Sequence, residues 1–259
     1  MDLGLTGKVA LVTAASKGMG KACALGLAAE GARVAMCART EKDLRAAADE
    51  VRAKTGGEVL AVPADVTRAA DITALVGKVR EAFGGVDILV ASAGGPPRGR
   101  FDELTDEQWT GAFELSLLSV VRLVREVLPS MRARRWGRIL TIQSSSVKQP
   151  IEGLLLSNAV RPGVAGLMKT LAAELGPDNI LVNTVCPGRI LTDRFLGGAR
   201  GTGLGPEQYA AKASLDIPVR RIGTPEEFAN VVVFLASEKA SYVTGVAVQV
   251  DGGLVRGLL

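Results

Sequence analysis

Seven short apolar runs punctuate the chain, at 9–12, 34–37, 59–62, 88–91, 139–142, 181–185 and 246–250. Predominantly apolar runs of four or five residues fit strands buried on both faces, as in a parallel sheet. Between them apolar residues recur every three or four positions, the spacing of helices with one buried side. Leu25, Leu27 and Ala28 mark one such helix, and Val164, Leu167, Met168, Leu171 and Leu175 another. Alternation of the two patterns predicts an α/β fold: a doubly wound sheet with helices on both faces. Two helix starts are explicit. Thr105 with Gln108, and Thr224-Pro225 with Glu227, place a capping hydroxyl three residues ahead of a side chain that reaches back. The stretch 189–221 breaks the rhythm, with Gly197, Gly198, Gly201, Gly203 and Gly205 ahead of an amphipathic piece from Tyr209 to Leu215. Standing after the sixth run, at the carboxyl edge of such a sheet, it reads as a mobile lid.

Composition narrows the classes. With 259 residues, 47% of them hydrophobic, the chain fills one large core, so 1–259 reads as a single domain. The net charge of +4 is small and dispersed, which argues against a nucleic-acid partner. The densest basic patch, Arg132, Arg134, Arg135 and Arg138, follows a helical pattern and reads as cations at a helix C-terminus. No apolar run approaches the roughly 18 residues of a membrane span, and no charged-then-apolar leader precedes the first strand. The expectation is a cytoplasmic protein without a membrane partner. Cys23, Cys37 and Cys186 are scattered and the chain has no histidine, so neither a zinc site nor a disulfide framework is predicted. Lack of histidine also removes every Ser-His or Cys-His pairing, leaving acid–base chemistry to other groups.

The first run opens into Thr13-Ala14-Ala15-Ser16-Lys17-Gly18-Met19-Gly20, and a helical pattern follows at once. Gly18 and Gly20 permit a sharp turn and close approach of a ligand, while free N–H groups at the helix start attract an anion. This spacing resembles the first βα turn of a dinucleotide fold, with Ala14 where the first glycine of G-x-x-x-G-x-G would stand. At the end of the second run, Ala38-Arg39-Thr40 offers no carboxylate to grip a ribose diol. Arg39, together with Lys17 from the neighbouring turn, suits a 2′-phosphate instead. NADP(H) is therefore favoured over NAD(H).

Further landmarks follow in order: Asp65-Val66, Ser92-Ala93-Gly94, Gly137-Arg138-Ile139, Pro187-Gly188 and Val250-Asp251-Gly252-Gly253. Together with the glycine turn they resemble the short-chain dehydrogenase/reductase family along essentially the whole chain. The resemblance implies a single Rossmann domain, a seven-stranded parallel sheet of order 3-2-1-4-5-6-7, a small-molecule substrate and a homo-oligomer, tetramer or dimer. It also implies cofactor contacts from Ala14, Ser16, Lys17, Gly18, Met19 and Gly20 in the turn and from Asp65 and Val66 beside the adenine. Ser92, Ala93 and Gly94 would lie at the adenosine ribose, and Pro187, Gly188, Ile190 and Thr192 at the nicotinamide and diphosphate. Ser92 departs from the family's usual asparagine.

The family's catalytic serine corresponds to Ser144, its tyrosine to Ser157, its lysine to Arg161 and its asparagine to Ser116. Only the first is retained. The two tyrosines, Tyr209 and Tyr242, stand elsewhere in the sequence. The family's tyrosine is a general acid whose pKa, ordinarily about 10, is lowered by the lysine cation. A serine hydroxyl does not replace it. Arg161 keeps the positive charge and can bond a cofactor ribose or a developing oxyanion, but it holds its proton. The catalytic candidates are Ser144, Ser157 and Arg161, in an atypical site lacking the tyrosine and lysine. Pro162 predicts a kink or a late start in the helix that carries Arg161. Lys148 is a proton source if the fold buries it and a loop lysine otherwise, while Ser145 and Ser146 read as loop residues and Glu152 as a surface carboxylate. Divergent members without the tyrosine, including a conjugate reductase of a peptide-antibiotic pathway, look similar through Gly94-Gly95-Pro96, Lys148-Gln149-Pro150 and Thr192-Asp193-Arg194. The expected function is NADP(H)-dependent reduction of a carbonyl or conjugated enone. The alternative is a catalytically inactive NADP(H)-binding sensor or structural partner.

Overall fold

Each of the seven apolar runs forms a strand in the computed structural model, which describes residues 1–200 and 202–258. Gly201 of the glycine-rich stretch and the terminal Leu259 lie outside the described residues. In chain order the strands are β1 (Val9–Thr13), β2 (Arg33–Ala38), β3 (Val59–Pro63), β4 (Ile88–Ala91), β5 (Gly137–Ile142), β6 (Ile180–Pro187) and β7 (Ala247–Val250). They pair in parallel in the order β3-β2-β1-β4-β5-β6-β7, as the resemblance implies.

Burial on both sides explains why the central strands are so largely apolar. In β1, Ala10 and Val12 face one core layer and Val9 and Leu11 the other. The first layer is covered by α1 (Gly18–Ala29), α2 (Glu41–Thr55) and α9 (Pro225–Ala236), through Leu27, Leu44 and Phe228. The second is covered by α3 (Ala69–Phe83), α5 (Ser119–Arg134) and α6 (Leu155–Leu175), through Leu75, Leu123 and Val164. Each fully buried side chain of this size contributes about 1.5–3 kcal/mol. The strand order reverses between β1 and β4, so the crevice at their carboxyl ends is where such a sheet binds ligands.

Both capping boxes form. Thr105 Oγ1 accepts from the Gln108 N–H ahead of α4 (Asp106–Phe113), and Thr224 Oγ1 accepts from the Glu227 N–H ahead of α9. Between α4 and α5 the chain makes one π-helical turn, Glu114–Leu118. Two expectations need correction. Pro162 neither delays nor interrupts its helix: α6 starts at Leu155 and continues through the proline to Leu175. The apolar face of α6 packed on the sheet outweighs one missing N–H, and α5 carries Pro129 in the same way. Arg138 is not a helix-end cation. It lies fully buried in β5, with its guanidinium over the Trp136 ring at 4.3 Å and paired with Glu238 at 3.4 Å.

The glycine-rich stretch is folded. It contains α7 (Asp193–Leu196) and α8 (Pro206–Ser214), and a bridge between Ile190 and Gly223 closes its base. Phe195 of α7 packs on Tyr209 of α8 with ring centroids 5.3 Å apart. No helix among the described residues is long and apolar enough to cross a membrane.

Candidate active site

The turn after β1 is shaped by backbone. Ala14 adopts a left-handed conformation (φ 51°), as does Gly18 (φ 54°), and a Cβ built on Gly20 would lie 2.3 Å from the Ala14 carbonyl oxygen. Only glycine fits at 20. The start of α1 has no side-chain cap and no acidic residue in its first turn, so its leading N–H groups are open to an anion. Ser16 is half-buried in the turn and Met19 packs against the first core layer. Thr13 ties the ends of β1 and β4 together: its hydroxyl donates to the Ser92 carbonyl at 2.6 Å and accepts from the Ser92 N–H at 2.8 Å. Ala93 and Gly94 follow directly along this edge.

The other sequence-identified positions follow the carboxyl ends of β2, β3 and β6. A Cβ on Gly18 would meet Thr192 Cγ2 at 3.1 Å, so the loop after β6 lies over the glycine turn. Thr192 also accepts from the Phe195 N–H at 3.2 Å, capping α7. Gly188, after Pro187, hydrogen-bonds the Val250 carbonyl and has no room for a side chain beside Asp251, while Ile190 is buried. Asp65 is occupied in its own loop, accepting from the N–H and hydroxyl of Thr67, and Val66 leans on the second core layer. Arg39 is exposed at the end of β2 and in no ion pair among the described residues. Lys17 differs: it pairs with Asp43 at the start of α2 at 2.9 Å, which raises its pKa. The fold brings the first turn of α2 within reach of its long side chain.

The catalytic candidates sit at the carboxyl end of β5 and on α6. Ser144 Oγ accepts from the Ser146 N–H at 3.1 Å, which leaves its own proton free for an outside acceptor. Ser146 and Ser157 are buried with their hydroxyls 3.0 Å apart. Arg161 is 7% exposed; it donates to Gln143 Oε1 at 3.0 Å and to the Gly94 carbonyl at 3.3 Å, and no carboxylate pairs with it among the described residues. Burial, then the nearby Arg194 charge, push its pKa down to about 10, so it is cationic at neutral pH. Ser116, on the π-helical turn, is buried with its hydroxyl unpartnered, and it lines a small pocket with Ser92, Gln143 and Arg161.

Two participants were not expected. Ser146 was read as a loop residue, but a short 3-10 turn (Ser145–Val147) carries its hydroxyl to Ser157. Gln143 stood in the sequence only as one polar group of the segment 143–150, because its contact exists only once Arg161 is folded over it. Lys148 is half-buried and borders a different cavity, with Met168, Lys169 and Gly245. Glu152 is exposed. Tyr209 lies in the stretch after β6, and Tyr242 is fully exposed.

The chain is similar to known reductases along nearly its whole length. A family model described as Enoyl-(Acyl carrier protein) reductase matches residues 13–255. The chain is 39% identical over 248 residues to the 3-oxoacyl-(acyl-carrier-protein) reductase FabG of Escherichia coli K12, covering 96% of this chain and 97% of that one. Among solved structures it resembles L-sorbose reductase from Gluconobacter frateurii, complexed with NADPH and L-sorbose, with TM-score 0.96 and 39% identity over the full length of both chains. It also resembles YwfH, an NADPH-dependent reductase involved in bacilysin biosynthesis, with TM-score 0.93 and 26% identity over 97% of this chain and 99% of that one.

Proposed function

This chain belongs to the short-chain dehydrogenase/reductase family, and from that premise we propose that it is an NADPH-dependent reductase of a carbonyl or conjugated enone, working without the family's tyrosine and lysine. The observation that carries the proposal is the group formed by Ser144, the Ser146–Ser157 hydroxyl pair and the buried Arg161, without a carboxylate partner among the described residues, at the Gly94 carbonyl.

The residues fit the cofactor. Gly20 leaves a cradle that any Cβ would fill, Gly18 turns left-handed, and α1 presents uncapped N–H groups to a diphosphate. Arg39 is free to take a 2′-phosphate, in keeping with the NADPH of the sorbose reductase complex. Asp65 and Val66, Ser92 to Gly94, Pro187, Gly188, Ile190 and Thr192 would line the remainder. When bound, the cofactor supplies the hydride.

The chain's own residues then manage charge on the substrate oxygen. Ser144 donates to that oxygen, its lone pair being engaged by the Ser146 N–H. Ser157 offers a second hydroxyl, backed by Ser146. Arg161, held by Gln143 and the Gly94 carbonyl, supplies a fixed positive charge in a low-dielectric setting, where such stabilisation is most effective. Its pKa of about 10 leaves the final proton to solvent, a route that suits an enolate formed by conjugate addition. The segment 189–221 serves as the lid, and the working state is a cytoplasmic homo-oligomer.

The test is NADPH oxidation by the purified chain against ketones, a 3-oxoacyl thioester and conjugated enones, with NADPH and NADH binding measured alongside. Turnover with preference for NADPH is expected. Tight NADPH binding without oxidation across the panel would favour a sensor or structural partner, and absence of binding would sink both readings.

A further inference from the structure

Three arginines crowd the rim of the crevice around the loop 92–99. Arg161 reaches it from α6, donating to the Gly94 carbonyl at 3.3 Å. Arg194 reaches it from α7, donating to the Gly95 carbonyl at 3.4 Å. Arg98 is part of the loop itself, whose far end is fixed by a bridge from Gly99 to Leu154 at the start of α6. Arg132, Arg134, Arg135, Arg189 and Arg221 each pair with an acid. None of the three rim arginines has a carboxylate partner among the described residues. Instead they act on one another: burial and then Arg98 hold the Arg194 pKa down, and Arg194 in turn lowers that of Arg161.

The arrangement is built into the backbone. A Cβ on Gly95 would fall 2.1 Å from Arg194 Nη2, so the guanidinium lies against a bare stretch of main chain that any side chain would block. Like charges gathered without a counter-charge repel one another. An anion placed among them would remove that repulsion and accept hydrogen bonds from two guanidinium forks. Arg98 and Arg194 are exposed toward solvent, whereas Arg161 is buried below them. The first two can therefore grip a ligand group while the third adds to the field from beneath.

We infer that the substrate carries an acid group, a carboxylate or a phosphate, seated between Arg98 and Arg194 with its reducible carbon–oxygen group turned toward Ser144. This rests on the reductase reading and names its substrate class: a small oxo acid, unsaturated oxo acid or oxo phosphate.

The experiment starts from the complex with NADPH, reading quenching of the dinucleotide's fluorescence as phenylpyruvate, its neutral methyl ester, or phenyl phosphate is added. At least one anion should bind more tightly than the ester by about tenfold, the ratio that 1.4 kcal/mol represents. Arg98→Ala and Arg194→Ala should each erase most of that preference, Arg194→Lys should restore part of it, and NADPH affinity should stay within about twofold. Whichever anion wins separates carboxylate from phosphate. Equal binding of both anions and the ester overturns the inference and leaves the reductase reading intact. An Arg194→Ala variant that loses NADPH as fully as it loses the anion assigns the cations to the cofactor and overturns it too. Failure to bind NADPH at all removes the reductase reading, and the inference falls with it.

Discussion

On the β1–β3 side of the crevice the site is made of main chain: a left-handed Ala14, a left-handed Gly18, a Gly20 with no space for a side chain, and the open N–H groups of α1. On the β4–β6 side it is made of side chains, contributed by the ends of β4 and β5, the π-helical turn, α6 and α7. The difference predicts how the two halves tolerate change. A backbone cradle depends on a few residues without alternatives, whereas hydroxyls and guanidinia hung on a fixed scaffold can be exchanged while the scaffold stays. This chain carries that contrast within one domain.

The contrast breaks most sharply at Gly20. Gly20→Ala should abolish NADPH binding in a fluorescence titration and destabilise the fold by about 1–3 kcal/mol in urea, because the added methyl meets a carbonyl rather than a movable side chain. On the opposite side, Arg161→Met should leave NADPH binding measurable while lowering kcat by about 10²–10³, the cost typical of losing one donor to a developing oxyanion. With the wild-type chain, kcat should be flat from about pH 6 to 9 and fall as Arg161 deprotonates near 10, since loss of the proton removes the stabilising charge. A sigmoidal change centred near pH 7 would mean that another group donates the proton.

Arg39→Ala should weaken NADPH by about tenfold or more and NADH little, since a charged pair with a phosphate is lost in one case only. Equal effects would place the discriminating contact elsewhere, with Lys17, once freed from Asp43, the next residue to change. The smallest effect concerns scaffold rather than site. Lys21 and then Lys54 hold the Glu50 carboxyl down to about 2 from its ordinary 4.5. That pairing is complete above the ordinary value and is lost as pH falls from 4.5 toward 2. Glu50→Gln should therefore narrow the gap in thermal midpoint between pH 7 and pH 3 by a small amount, in keeping with an exposed pair.

Much of the fold was legible because parallel strands buried on both faces are short, apolar and separated by helices of clear period. All seven runs became strands with ends shifted by at most a few residues, and both capping boxes formed. The glycine turn was legible for a related reason: its requirement is written in the residues that lack side chains. The catalytic half was legible only in part. Ser144, Ser157 and Arg161 were picked out by the resemblance to the family, but Ser146 and Gln143 join them only through contacts 11 and 18 residues away along the chain. Pro162 misled because local propensity speaks against a helix interior, and only the packing of α6 on the second core layer shows why it is accommodated there. Arg138 misled because charge argued for the surface, while the Trp136 ring and Glu238 make its burial tolerable.

The wide turn at Glu114–Leu118 amounts to one residue more than a regular helix needs. Removing a single residue there would let the coil tighten, rotating everything ahead of it, α4 and its cap included, by about 100° about the axis. Ser116 would swing away from Arg161 in the process. An insertion-like irregularity of one amino acid thus sets the azimuth at which the middle of the chain presents itself to the reaction chamber.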